Sequence, residues 1–315
     1  MKVLVYGYYH KQNLGDDLFQ EAFKKLFPAF DFTFVNKITT VSDYDLIIFG
    51  GGSLLEGDPQ LGDKIITELQ SKKICYIGVG TETKIHPTHI SLLNSSKLIA
   101  TRSKISNLTE ITASKIFIPD LVYSLCPDNN AFLNSKNDKN VMLLPNITVV
   151  PTNKDPIWKW SAWNYFKSEF AQFLDYLVSK NYKLDISSMC TNPKQSDYST
   201  GMEITNHMVN RNNYSSELTF NNYATKFQEA SIIITQRYHG SILSQIFRKP
   251  HLTLFHHDKL SSDYEKEGIY LSYYQMNKNL LIDSFHQLEE KKLSTKSFLS
   301  NFKELQNKVG EICDM

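Results

Sequence analysis

Short apolar runs alternate with longer segments of helical periodicity along this chain of 315 residues. The runs at 46–49 and 232–234 are rich in β-branched and aromatic residues, which is typical of strands buried on both faces. The clearest helical segment covers residues 16–27, places Leu18 and Ala22 on one side, and is followed by Pro28. Because strands that alternate with helices form βαβ units, the sequence predicts an α/β fold built on parallel sheet.

The length of the chain favours two domains, because single hydrophobic cores stop growing at about 250–300 residues. Strands are predicted at 2–7, 32–36, 45–49, 73–77, 97–101 and 115–118, and then at 141–144, 183–187, 232–235 and 251–255. Residues 126–140 are rich in Asn, Asp, Lys and Ser, which favours a linker. We therefore expect Rossmann-like domains at 1–135 and 141–290, facing each other across a cleft, and a helix within 291–315 that packs back on the body.

The overall charge excludes a general attraction to polyanions. The chain has 34 Lys and Arg against 33 Asp and Glu, so its formal charge is +1, and we expect no nucleic-acid partner. No apolar run approaches the ~20 residues of a membrane span, and residues 1–7 are interpreted as a buried strand instead of a signal segment. The four cysteines show no C-x-x-C pair, which favours reduced thiols and a cytoplasmic location.

The first candidate motif is the loop at 7–17, between the first predicted strand and the first predicted helix. Gly7 and Gly15 permit backbone conformations that are closed to other residues, and Asp16 is a plausible helix N-cap. The loop is either a plain strand-to-helix turn or an anion or sugar site at a helix N-terminus. Its spacing does not match the G-x-G-x-x-G fingerprint, which disfavours a dinucleotide.

The second motif is a glycine run, Gly50 to Gly52, followed by Ser53 and placed directly after an apolar strand. Glycines at the carboxyl end of a strand allow close backbone approach and expose amides. Tight packing between domains would also explain them. A ligand site is favoured, because open α/β sheets bind ligands at this edge.

The third and fourth motifs place cations at strand exits. Arg102 follows the predicted strand 97–101, and its rigid fork matches a carboxylate or a phosphate, although an ordinary interface arginine would also fit. Arg237 and His239 follow the apolar segment 231–235. A histidine can exchange a proton near neutral pH, so this position and this neighbour favour a functional role over a structural one.

Three other patterns are weaker. Residues 43–45 fit a D-x-D metal motif and residues 256–258 contain two histidines and an aspartate, but they are interpreted as a strand start and a solvated turn, so no metal site is predicted. Trp158, Trp160 and Trp163 could stack on a sugar, although core packing at the start of a helix is the favoured interpretation.

Taken in order, these motifs resemble the polysaccharide pyruvyl transferase family. The residues that carry the resemblance span most of the chain: Gly7, Asn13, Gly15 and Asp16; Gly50 to Leu54; Arg102 and Ser106; Pro119 and Asp120; Arg237, His239 and Gly240; and the stretch from Lys249 to Lys259.

The resemblance implies a GT-B-like fold with phosphoenolpyruvate as co-substrate and no other cofactor. The enzyme would move a pyruvyl group onto a glycan, or onto a lipid-linked or nucleotide-linked sugar, to form a ketal. His239 would be the general acid and base. The donor would be bound on the side of the C-terminal domain by Arg102, Arg237, Gly240 and Lys259. The acceptor would be bound on the side of the N-terminal domain, by loop residues Asn13, Gly15, Asp16, Gly51, Gly52, Ser53 and Asp120.

Two alternatives remain open at the level of sequence. A GT-B glycosyltransferase that uses a nucleotide sugar would need similar glycine loops and an anion-binding arginine. A glycan-binding relative without catalytic activity would keep the fold and lose turnover.

Overall fold

The structure is a computed structural model that describes residues 1–80, 84–102, 111–126, 139–193, 196–210, 215–255, 268–290 and 302–314. Within these ranges the chain forms two six-stranded sheets covered by helices. Every neighbouring strand pair is parallel, which confirms the predicted α/β class.

The first sheet is built by residues 2–117. Its strands are β1 (Lys2–Tyr6), β2 (Asp31–Val35), β3 (Leu46–Gly50), β4 (Lys73–Val79), β5 (Leu98–Thr101) and β6 (Ser114–Phe117). They lie in the order β2-β1-β3-β4-β5-β6. The helices of this half are α1 (Leu14–Leu26), α2 (Asp63–Gln70) and α3 (Pro87–Ser95), and 3-10 turns follow β3 and β6 at Leu54–Glu56 and Leu121–Leu125.

The second sheet is built by residues 140–272. Its strands are β7 (Asn140–Leu144), β8 (Lys183–Ser188), β9 (Ser216–Glu217), β10 (Ile232–Thr235), β11 (His251–Phe255) and β12 (Ile269–Ser272). They lie in the order β12-β11-β10-β7-β8-β9. The helices of this half are α4 (Ile157–Ser179), α5 (Asp197–Thr205), α6 (Tyr223–Glu229), α7 (Tyr238–Ile246) and α8 (Lys278–Glu290).

The last helix, α9 (Lys303–Asp314), returns to the first half of the chain. Gln306 donates a hydrogen bond to the carbonyl of Leu26 at 2.8 Å, and Lys73 donates one to the carbonyl of Ile312 at 2.9 Å. Leu305 is buried in the same hydrophobic cluster as α1. The chain therefore ends against the sheet with which it began. The predicted helix start near 297 and most of the predicted linker, residues 127–138, lie outside the described residues.

The strands that the longest apolar runs predicted are buried in the core of the protein. Residues 46–49 of β3 are completely buried, as expected for a central strand with helices on both faces. One hydrophobic cluster contains side chains from both halves, including Leu121 and Val122 of the first and Leu144 and Ile242 of the second. The two sheets are therefore joined by apolar packing as well as by the chain.

Backbone hydrogen bonds also join the halves. Residues 11–14, which lead into α1, lie antiparallel to residues 189–192, after β8. Leu14 N donates to Met189 O and Thr191 N donates to Gln12 O, both at 2.9 Å. Gln12 takes a left-handed conformation with φ of 55°, which is uncommon for a residue with a side chain. The loop is thus shaped to meet the second half.

Two sequence predictions are corrected by the helix starts. Asp16 is not the N-cap of α1: the helix begins at Leu14, and Asn13 is the N-cap, because the antiparallel pairing fixes Asn13 in an extended conformation. The three tryptophans do lie at the start of α4, but the core packing predicted for them applies to one of the three. Only Trp163 is buried there, whereas Trp158 is 58% exposed and Trp160 also faces solvent.

No helix among the described residues is long and apolar enough to span a bilayer.

Candidate active site

The ends of both sheets converge on one group of residues. β1 and β3 end at the glycine loops, β5 and β6 lead into Arg102 and Asp120, and β10 leads into Arg237 at the start of α7. Because parallel strands present their carboxyl ends at one edge, a site assembled from these exits is expected for the fold. α1 starts at the same place, so Gly15 meets His239 there.

His239 lies in the first turn of α7 and is the centre of this group. Its ring packs edge to face against Phe19 of α1, with ring centres 5.4 Å apart, and against Tyr238 at 5.1 Å. A Cβ added to Gly15 would lie 2.1 Å from His239 Nδ1. The imidazole is therefore held by residues of the first half, although it belongs to the second, and 12% of its side chain is exposed.

Asp120 is the carboxylate nearest to this imidazole. Its Oδ2 lies 3.7 Å from His239 Nε2 and accepts a 2.5 Å hydrogen bond from Arg102 Nη1, while Oδ1 accepts one from Val122 N at 3.0 Å. Burial raises the pKa of the Asp120 carboxyl, but the adjacent imidazole of His239 and the charge of Arg102 outweigh it and hold the pKa well below its usual range. Asp120 is therefore ionised near neutral pH.

Arg102 is buried behind the site. Neighbouring strands β5 and β6 bring it to Asp120, since Thr101 and Phe117 are paired at their ends. Its guanidinium lies 4.9 Å from the ring centre of Tyr238, and its side chain is 4% exposed. The family resemblance assigns Arg102 to donor binding, and that role stays a prediction. In the structure, Nη1 of the Arg102 guanidinium donates a hydrogen bond to Asp120.

Arg237 is fixed by a partner that sequence reasoning missed. Its Nε donates to Asp197 Oδ2 at 2.9 Å and its Nη2 donates to Oδ1. Asp197 is completely buried and also accepts from the backbone amides of Met189 and Cys190. Asp197 therefore orients the fork, and 14% of the Arg237 side chain is exposed. The signal was present as Ser196-Asp197, because Ser196 is the N-cap of α5.

Gly240 allows α7 to start directly on β10. A Cβ at this position would lie 2.2 Å from Thr235 Oγ1, the atom that accepts a hydrogen bond from Arg237 N at 2.9 Å. The glycine is thus required for helix-to-strand packing. Its predicted contact with the donor stays a prediction.

The glycine run at the end of β3 packs against α1, whose Phe19 is also a neighbour of His239. Gly51 and Gly52 have φ of 81° and 72°, conformations that favour glycine. Gly51 packs on the Phe19 ring, and a Cβ on Gly52 would lie 3.6 Å from Asp16 Oδ1. Gly52 and Ser53 are half-buried, so the structure brings this loop next to the start of α1.

Gly7 and Gly15 of the first loop do not have the special backbone conformations that the sequence suggested for them. Neither Gly7 nor Gly15 takes a left-handed conformation, and the glycines are needed for close approach. A Cβ on Gly7 would lie 2.5 Å from Gly50 O, just as one on Gly15 would collide with His239. The half-buried Asn13 donates to Asp16 Oδ2 at 2.6 Å, which fixes the Asp16 carboxylate beside the glycine run.

Tyr8 and Cys190 lie beside these residues and were not predicted. Burial, followed by the nearby charges of Asp16 and Cys190, raises the pKa of Tyr8. Burial also raises the pKa of the Cys190 thiol, against the opposing effects of a backbone hydrogen bond from Asn192 and of the charge of Arg237. The start of α1 and the segment after β8 thus face each other across the junction between the sheets.

The remaining predicted residues lie elsewhere. Lys259, Ser106 and residues 256–258 are outside the described residues. Asp45 of the D-x-D pattern accepts a hydrogen bond from Lys2 N at 2.8 Å, which is a structural contact at the start of the first sheet. In the part of the chain that the structure describes, no three His, Cys, Asp or Glu side chains are grouped as metal ligands would be.

Comparison with known families decides the relationship. The sequence profile described as "Polysaccharide pyruvyl transferase" matches residues 13–258, which is more than half of the chain. The chain belongs to this family. The matched span contains the residues that converge at the junction from Asn13 onward, and it leaves out Gly7 and Tyr8 of the first loop. Membership in the polysaccharide pyruvyl transferase family assigns the protein to the transferases of polysaccharide biosynthesis. No curated protein matches the chain.

Solved structures show the same two-sheet architecture. The UDP-GlcNAc 2-epimerase from Methanocaldococcus jannaschii superposes with a TM-score of 0.60 at 10% identity, covering 99% of this chain and 100% of the other. The UDP-GlcNAc 2-epimerase from Neisseria meningitidis, bound to UDP-GlcNAc, gives 0.59 at 11% identity, with 99% and 100% coverage. At this identity the likeness concerns the fold alone, and it supports the predicted GT-B-like arrangement for this member of the polysaccharide pyruvyl transferase family.

Proposed function

We propose that this protein transfers a pyruvyl group from phosphoenolpyruvate to two hydroxyls of a sugar, forming a cyclic ketal, with His239 as general acid and base. The observation that carries the proposal is the setting of His239. The imidazole is held between Gly15 and the ionised Asp120, at the edge where ligands bind in this class of fold. Membership in the family supports this reaction type.

The chemistry needs one group that can give and take protons. Protonated His239 donates a proton to the methylene carbon of phosphoenolpyruvate, which leaves positive charge at C2, and a sugar hydroxyl attacks C2 and returns a proton to the imidazole. His239 then protonates the departing phosphate, and C2 accepts the second hydroxyl, whose proton returns to the ring. The steps balance as phosphoenolpyruvate plus a diol giving a ketal plus phosphate, so phosphoenolpyruvate is the only co-substrate that we propose.

We propose that Arg237 and the start of α7 bind the anionic donor. The Asp197 carboxylate pre-orients the Arg237 fork, and among the described residues Asp197 is the only side chain to which the Arg237 guanidinium donates. The first amides of α7, including that of Gly240, lie at the positive end of the helix. Arg102 and Lys259 complete the proposed donor set by family resemblance, with Arg102 acting from its buried position beside Asp120.

The acceptor side is proposed at the start of α1 and the glycine run. Asn13, Asp16, Gly52 and Ser53 are half-buried and supply polar groups of the kind that sugars bind. A glycan, a lipid-linked sugar or a nucleotide-linked sugar would fit this chemistry. The Neisseria structure, bound to UDP-GlcNAc, favours including nucleotide-linked sugars in the test.

Free cysteines at all four positions support a reducing, cytoplasmic location.

The test is turnover with phosphoenolpyruvate and a panel of glycosides, followed by phosphate release and by the ketal methyl signal in NMR spectra. His239→Gln should abolish both signals and leave phosphoenolpyruvate binding measurable by calorimetry. His207→Gln, at an exposed position, is the matched control and should keep full activity.

Two other results would replace the proposal. Hydrolysis of a UDP-sugar without any ketal signal would identify a nucleotide-sugar enzyme. Saturable glycan binding without turnover of either donor would identify a non-catalytic relative.

A further inference from the structure

The two nitrogens of His239 lie in different environments. Nε2 is completely buried, lies 3.7 Å from Asp120 Oδ2, and has no hydrogen-bond partner among the described residues. The 12% of the side chain that is exposed therefore belongs to atoms other than Nε2. A ligand that enters the junction cannot reach Nε2 directly.

The neighbour of Nε2 determines where the proton of neutral His239 lies. Asp120 accepts from Arg102 Nη1 at 2.5 Å and from Val122 N at 3.0 Å, as an ionised carboxylate does. An ionised carboxylate has only acceptor atoms, so the ring nitrogen that faces it is favoured in the N–H form. Hydrogen bonds of this kind are often long in a free enzyme and shorten when the substrate binds.

Nδ1 faces the other way, towards α1. Residue 15 lies so close that a Cβ would sit 2.1 Å from Nδ1 and 2.6 Å from Cγ. Any side chain at this position would cover the edge of the ring that carries Nδ1. A glycine in the first turn of α1 therefore leaves a space beside Nδ1 that any other residue would fill.

We propose that Nδ1 is the nitrogen through which His239 exchanges protons with the substrate, and that Nε2 keeps a proton directed at Asp120. Asp120 and Gly15 are then positioning residues: Asp120 fixes the tautomer and Gly15 keeps Nδ1 accessible. The role of Nδ1 in transfer rests on the proposed function, whereas the tautomer is a property of the folded protein.

The proton balance of the reaction fits this assignment. The protonated ring carries N–H on both nitrogens, and Nδ1 gives its proton to the methylene carbon of phosphoenolpyruvate. The ring becomes neutral with Nε2–H still facing Asp120, and the lone pair of Nδ1 then accepts the proton of the attacking hydroxyl. The second half of the reaction repeats the exchange with the phosphate oxygen and the second hydroxyl.

The tautomer can be measured by NMR spectroscopy of the full-length protein labelled with ¹⁵N at its 9 histidines. The signals of His239 are assigned by their loss in His239→Gln. At about pH 9, where an ordinary imidazole is neutral, we expect a pyridine-type shift for Nδ1 and a pyrrole-type shift for Nε2. The reverse pattern, or an even mixture of tautomers, in the wild-type protein would overturn the proposal.

The substitution Asp120→Asn tests whether the Asp120 carboxylate fixes the tautomer of His239. An amide offers both a donor and an acceptor, so we expect the single tautomer to be lost and kcat to fall by about 100-fold or more with little change in KM for phosphoenolpyruvate. Asp197→Asn alters the other buried arginine–aspartate pair and should leave the His239 tautomer unchanged. An unchanged tautomer in Asp120→Asn would remove Asp120 from the role. Because this readout requires no turnover, a protein without pyruvyl transfer but with Nε2–H would refute the proposed function and leave the tautomer assignment intact.

Discussion

Replacing Gly15 by alanine tests whether the position of His239 depends on α1. The added Cβ would lie 2.1 Å from Nδ1, 2.6 Å from Cγ and 2.9 Å from Cβ of His239. Since unbonded heavy atoms prefer about 3.5 Å, the ring must withdraw by roughly 1.4 Å or turn about χ1. Displacements of about 1 Å from a reactive geometry cost about 100-fold in rate. We therefore expect kcat of Gly15→Ala to fall by about that factor.

Other properties of Gly15→Ala should change little. Overpacking costs about 1–3 kcal/mol of folding free energy, and alanine recovers about 1 kcal/mol over glycine inside a helix, so the protein should remain folded. KM for phosphoenolpyruvate should stay close to the wild-type value because Arg237 is not displaced. Steady-state kinetics and urea unfolding measure both effects.

Gly310→Ala is the matched control for this substitution. Gly310 is also inside a helix, and a Cβ there would meet no atom within 4 Å. It should raise stability by up to about 1 kcal/mol and leave kcat unchanged. A folded Gly15→Ala protein with kcat within about threefold of wild type would refute the argument, because the predicted displacement could then not matter for the chemistry.

Three further outcomes follow from the described contacts. Burial lowers the pKa of His89 to about 4, below the 6.5 of the unfolded chain, so the unfolded state binds a proton first as pH falls. Urea unfolding should therefore show a loss of about 2 kcal/mol between pH 7 and pH 5 that His89→Gln removes, and an equal loss in that variant would contradict it. Trp163→Ala should cost about 3–5 kcal/mol, whereas Trp158→Ala, at a 58% exposed site, should change the unfolding free energy by less than about 0.5 kcal/mol. Arg237→Lys keeps the charge but loses the fork that Asp197 orients, so KM for phosphoenolpyruvate should rise about tenfold or more; an unchanged KM would exclude Arg237 from donor binding.

Much of the fold could be predicted because buried parallel strands leave continuous apolar runs. The strands predicted at 232–235 and 251–255 have the same bounds as β10 and β11. β9, of two residues, and β12, whose residues are only half-buried, were missed because edge strands need fewer apolar side chains. The apolar pattern of a strand follows its burial, so the pattern is weaker in the edge strands of a sheet.

The site was predictable in part for a similar reason. Residues at strand exits stand out against the apolar runs, which is how Arg102, Arg237 and His239 were found. Pairings across the fold could not be found in this way: Asp120 and His239 are 119 positions apart in the sequence and meet only because the two halves pack together. The glycine at position 15 is likewise explained by a ring from the other half.

The antiparallel contact between residues 11–14 and 189–192 has a consequence for enzyme control. The histidine comes from one half, whereas its carboxylate, its aromatic neighbour Phe19 and the glycine under it come from the other. A rigid-body separation of the halves by little more than 1 Å would move His239 away from Asp120 and Phe19 without unfolding either sheet. The position of the proposed acid therefore depends on the packing between the halves, and it would respond to a loosening of that packing before either sheet unfolds.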